Sequence, residues 1–247
     1  MLPILHTYQP DTLTTVTAAI TCIAGIAMVA SNLFEHPKKE EQKEALAFYA
    51  KRGVIGLLFV VFAICSMIPS MIEMHEIPIV ETTEGGILAM TFACAAFTLI
   101  KSPLVSREII VSNIALIAFF PAMYLCLLDD PDSRLAVESV SETFVGIMVV
   151  IYFVAFFIEK RRFKDTVSGY YDQKQQKTNT KSGNLIITIT LGLWIWWAIE
   201  HHTNPAAESP AFEIARTAAI VLTATYFIIE SEKALRIARI RNCLESD

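Results

Sequence analysis

The sequence predicts an all-α fold, a polytopic integral membrane bundle of about seven transmembrane helices with the N-terminus outside and the C-terminus in the cytoplasm. Three observations carry this. Of 247 residues, 54% are apolar and 18% charged, and the mean hydropathy is +0.49, whereas soluble domains hold about 45–50% apolar and about 25% charged residues. Seven largely uncharged runs approach the roughly 20 residues that an apolar layer about 30 Å thick requires. Finally, 18 of the 20 Lys and Arg residues fall in segments that alternating passage puts on one side, the bias expected of cytoplasmic loops.

The first run, 12–33, follows a segment without Lys or Arg, so it lacks the basic start of a cleaved signal peptide and is expected to be retained. Thr14, Thr17, Ala18, Thr21 and Gly25 give it a low-relief face for close helix approach. In the 34–52 connection, Ala45, Phe48 and Tyr49 share one side of a helical turn among charges, the pattern of a short helix lying on the inner interface. The second run, 53–72, carries Ser66 and Ser70, with Glu73 just beyond, at i, i+4 and i+7 beside Pro69. That stripe would line a wet cavity or satisfy the carbonyl that proline frees.

The third run, 84–100, is short enough to be re-entrant, but Lys101 and Arg107 behind it favour a complete hairpin with the fourth run, 108–128. The fifth, 141–158, opens with Glu138 and Glu142 one turn apart, a like-charge pair that calls for a cation. Arg216, near the outer start of the seventh run, is the expected answer, although Glu213 three residues earlier offers it a local partner. The 159–183 connection, rich in Lys, Gln and Thr, reads as a flexible basic cytoplasmic loop. Trp194, Trp196 and Trp197, all the tryptophans of the chain, precede Glu200 in the sixth run, 184–200, as in an interfacial aromatic belt. The seventh run, 212–230, continues in helical register into a basic cytoplasmic tail, 231–247.

Ionisable groups near hydrocarbon are scarce and expensive, which makes them the places to seek chemistry. Thirteen of the 25 acidic residues fall on the outer side, against only Arg134 and Arg216, so that face attracts cations. Ser66, Ser70, Glu73, Glu142, Glu200 and Arg216 are the candidate ion pathway. His75, Glu76, His201 and His202 lie at outer run ends and have ligand chemistry suited to zinc, copper or iron. Their spacing lacks the HxxxH or HExxH that aligns two ligands on a helix. Glu35 and His36 fall on the inner side, a bilayer away from them. Lys160, Arg161, Arg162, Arg236 and Arg239 are candidates for binding anionic inner-leaflet lipids or a cytoplasmic protein.

Several classes are not expected. The seventh run has no lysine for a retinal Schiff base, and the histidines lie at run ends rather than mid-helix where haem would need them. Cys22, Cys65, Cys94 and Cys126 fall one to a run without a CxxC pair, against an Fe–S site. Nucleic acid is not an expected partner. The expected function is a transport or conductance component of a cytoplasmic-type inner membrane, working as a homo-oligomer or as a subunit of a larger assembly, that passes protons or cations from an acidic outer face. Two alternatives stay open. One is a non-catalytic anchor, signalling or bacterial defence subunit that docks a partner through its basic loops. The other is a metal-dependent enzyme at the outer Glu and His residues.

Overall fold

The structure, a computed structural model, describes residues 12–34, 43–68, 77–100, 102–127, 130–167, 173–203 and 210–245. Seven helices account for nearly all of them: α1 (Thr12–Phe34), α2 (Lys43–Cys65), α3 (Ile77–Leu99), α4 (Arg107–Cys126), α5 (Pro131–Val167), α6 (Gln173–Thr203) and α7 (Pro210–Glu245). The fold is all-helical, and five helical stretches, within α3 to α7, are long and apolar enough to cross a membrane; the apolar part of α1, Thr14–Ala30, is shorter. The apolar surplus that marks the chain is therefore organised as a helical bundle of membrane type.

The α3 helix is the axis of the bundle. It packs against α2, α4, α5, α6 and α7, and every residue from Gly86 to Ile100 is buried. The interior around it is rich in aromatic rings: Phe92 and Phe97 of α3 itself, Phe59 and Phe62 from α2 and Phe156 from α5, all at most 4% exposed. By contrast, α4 turns Val111, Leu116, Phe119 and Leu125 outward, an apolar surface suited to lipid.

Hydroxyls are accommodated in this apolar frame by bonding back to their own helix. The side chains of Thr21, Thr91, Thr98 and Thr190 donate to the carbonyls of Thr17, Ile87, Cys94 and Ile186 at 2.7–2.9 Å, which removes the cost of an unsatisfied polar group in hydrocarbon. The low-relief face of α1 meets α2 at Gly25 and Gly56: a Cβ on Gly25 would lie 2.5 Å from the carbonyl oxygen of Gly56, and one on Gly56 would lie 2.7 Å from that of Gly25. The two backbones touch.

Four boundaries differ from the sequence expectation. The second run ends at Cys65, not at 72, and passes through a turn at Ser66 and Met67. Pro69 explains this, since it disfavours helical backbone at the preceding residue and donates no hydrogen bond. Helix α2 thus stops one residue before Ser66; Ser70 and Glu73, the other members of the expected stripe, lie outside the described residues. Second, residues 43–52 are the first turns of α2 rather than a separate surface helix. Third, α3 is not short: it runs from Ile77 to Leu99, with Pro78 in its first turn, a position that proline tolerates well. Fourth, the 159–183 stretch is not a loop throughout, because α5 runs on to Val167 and α6 begins at Gln173. At about 1.5 Å per residue, α5 is roughly 55 Å long and overreaches an apolar layer about 30 Å thick.

Two helix starts are capped by side chains. The Ser106 hydroxyl accepts from the Ile109 amide at α4, and Asp130 accepts from the amides of Asp132 and Ser133 and from the Ser133 hydroxyl at α5. These bonds, the Ser133 hydroxyl first among them, hold the Asp130 carboxyl below the usual carboxylate range. Its depressed value sets the sign: the cap stabilises α5 above the ordinary carboxylate pKa and fades as pH falls through the lowered one. The protection factors of the Asp132 and Ser133 amides should accordingly fall on acidification in the native chain, and in Asp130→Ala, which removes the cap, they should be low and insensitive to the same titration.

Candidate functional site

The N-terminal ends of α1, α3 and α7 and the C-terminal end of α2 come together at one end of the bundle, joined by a Thr17–Thr217 hydroxyl contact and by the bonds around Glu84. Starting α3 at Ile77 brings Glu81 and Glu84 inside that end, one turn apart. Glu84 is 4% exposed. Its Oε1 accepts from the Ser66 hydroxyl at 2.9 Å and pairs with Arg216 Nη1 at 3.1 Å. The other terminal nitrogen of Arg216 pairs with Glu213 Oε1 at 2.5 Å. One guanidinium thus bridges two carboxylates from different helices, using the fork geometry that suits arginine to such sites.

Among the described residues the carboxyl groups here outnumber the cations. Glu81, Glu84 and Glu213 share one neighbourhood and act on one another electrostatically, with Arg216 the cation among them. Glu213 Oε2 is buried without a hydrogen-bond partner among the described residues. Several like charges in a poorly solvated place repel strongly unless a proton or another cation joins them. Beside the group lies a cavity of about 60 Å³ with Glu81, Thr82, Thr190 and Arg216 on its wall, space for several water-sized occupants when one needs about 10–15 Å³. Trp194 and Trp197 separate it from a larger open groove of about 630 Å³ between α5 and α6, along which Ser139, Glu142 and Thr143 lie.

The candidate residues divide accordingly. Ser66 and Arg216 belong to the buried group. Arg216 answers Glu84 and Glu213, and Glu142, its expected partner, is half-buried in the neighbouring groove. Glu200 accepts from the Trp196 indole at 2.7 Å on the same helix. Ser70, Glu73, His75 and Glu76 lie outside the described residues, as do Glu35, His36 and the side chains of His201, His202, Arg236 and Arg239. Among the described residues no group of three or more His, Cys, Asp or Glu is arranged to hold a metal ion. Lys160 donates to Asn184 at 3.0 Å, Arg162 pairs with Glu159 at 2.8 Å and Arg161 is exposed.

A second polar group occupies the opposite end. Ser102 donates to Glu159 at 3.0 Å and its carbonyl accepts from Lys51 at 3.4 Å. Arg52, wholly buried, reaches Glu232 of α7 at 3.2 Å.

Glu81 and Glu84 are the residues that the sequence reading missed. With the third run taken as 84–100, Glu81 counted as a flanking charge and Glu84 as the end of the run. The available signal was Pro78, a preferred helix-start residue six positions before the run. Comparisons with protein-family models, curated proteins and solved structures found no match.

Proposed function

We propose that the chain is an integral membrane transport component that takes up protons or small cations through the Glu81, Glu84, Glu213 and Arg216 group. With the basic segments on the cytoplasmic side, this end of the bundle is the outer one. The observation that carries the reading is the imbalance of three carboxylates on one arginine beside a cavity. Such a group changes its charge state at low cost, because an added proton or cation relieves repulsion already present. Phe59, Phe92, Phe97 and Phe156 fill the interior between the two polar ends, which favours stepwise passage with helix movement over a standing pore. The ion pair of Arg52 with Glu232 and the Ser102, Glu159 and Arg162 group are then the inner counterpart that must open.

The test is reconstitution of the full chain in liposomes carrying a pH gradient or an inward cation gradient. Dissipation that scales with protein content is the expected result, and liposomes as tight as protein-free ones overturn the proposal.

A second reading, an anchor or signalling subunit, is favoured by the helical extensions of α5 and α7 beyond the length a bilayer needs. Neutralising Lys160, Arg161, Arg162, Arg236 and Arg239 together would then abolish recovery of a cytoplasmic partner, while the outer carboxylates would prove dispensable.

A further inference from the structure

The walls of the cavity narrow the chemistry of the cation. Besides its few polar groups, the cavity is lined by five aromatic rings, those of Phe62, Phe92, Trp194, Trp197 and Phe212. An alkali ion stripped of water needs several oxygen ligands, and Glu81 with the Thr82 and Thr190 hydroxyls offers few. The Thr190 hydroxyl already donates to Ile186. An ammonium-type cation has the opposite needs: its N–H groups donate to one carboxylate, and its remaining surface, methyl groups included, rests on aromatic faces through cation–π attraction. Arg216 does not remove the need for such a guest, since its terminal nitrogens are engaged with Glu84 and Glu213 and Glu81 adds a third carboxyl group at the wall. The volume of about 60 Å³ limits the guest to the size of a few water molecules.

We propose that this cavity is a binding site for ammonium or a small alkylammonium ion, with Glu81 as its counter-ion and the surrounding rings as its cage. The proposal rests on reading the chain as cation-handling and names the class of cation. It also gives Gly85 a role: a Cβ there would meet nothing within 4 Å, so glycine at this cavity-lining position is not required by neighbouring packing and leaves room for the guest.

All three tryptophans lie between 194 and 197, so intrinsic emission is a local reporter of the site. The full chain in detergent is titrated with methylammonium chloride, and separately with NaCl and KCl, at constant ionic strength. The expected result is a saturable emission change with methylammonium whose midpoint is at least tenfold lower than that for either alkali ion. Glu81→Gln should raise the methylammonium midpoint at least tenfold, and Glu81→Asp, which keeps the charge, should raise it less. Equal midpoints for the three salts, the absence of saturation, or an unchanged midpoint in a Glu81→Gln protein of native helix content each overturn the proposal. Should Glu81→Gln fail to fold, the selectivity of the native chain decides alone. Flux without methylammonium preference defeats this inference and spares the transport reading, whereas selective binding without any flux does the reverse.

Discussion

Arg216→Met is expected to destabilise the protein by about 3–5 kcal/mol, the range for removing one partner of a buried ion pair. The arginine side chain is 11% exposed and its two partners 5% and 10%, so little water is available to replace the lost guanidinium. The loss arises less from the vanished attraction than from Glu84 and Glu213 left charged in a poorly solvated interior. That cause has a checkable corollary. Adding Glu84→Gln and Glu213→Gln to Arg216→Met removes the stranded charges and should restore much of the thermal stability measured in detergent. A triple variant no more stable than the single one would show that Arg216 matters by packing, for instance over the Phe212 ring 5.9 Å away, and not by charge.

The second large effect belongs to the seam of α1 and α2. Gly56→Val places branched carbon where the backbone of Gly25 already stands 2.7 Å from even a single Cβ, with Met28 and Val29 at 2.9 and 3.1 Å. Neither backbone can give way without the helices parting, and overpacking of this kind typically costs about 1–3 kcal/mol. Contacts between transmembrane helices depend on such close approach, because the surrounding lipid is as apolar as the side chains. The expected readouts are a lowered melting temperature and faster proteolysis within α1. Gly85→Ala, at a position with open space around its Cβ, should leave the melting temperature near that of the native chain.

How far the sequence reading reached is explained by the kinds of signal it used. Scarcity of charge picked out Ser66 and Arg216 as residues that matter, and both stand in the buried group. The partner assigned to Arg216 was Glu142, because the reading could compare residues near run ends but could not order the helices in space. Helix α3 lies between the elements that carry the other members, and its two carboxylates counted only as a flanking charge and the end of a run. A run defined by the absence of charge necessarily stops at the first charged residue, so it hides an ionisable group that the fold has drawn inside. The opposite error occurred at 159–183. Low apolar content was read as a loop, yet Lys and Gln are good helix formers, and the tie of Ser182 to Tyr226 at 2.6 Å, with that of Lys160 to Asn184, holds α5, α6 and α7 together there. The register of the tail after 230 was legible, since α7 continues to Glu245.

As a member of a cation-handling group, Glu84 must do more than pair structurally with Arg216. The most direct measurement is the initial rate of pH-gradient collapse in proteoliposomes holding equal amounts of native chain, Glu84→Gln or Glu108→Gln, the last changing an exposed carboxylate of α4. The expected result is at least a tenfold slower collapse for Glu84→Gln in a protein that retains its helix content, and a native rate for Glu108→Gln. A native rate for folded Glu84→Gln would contradict it.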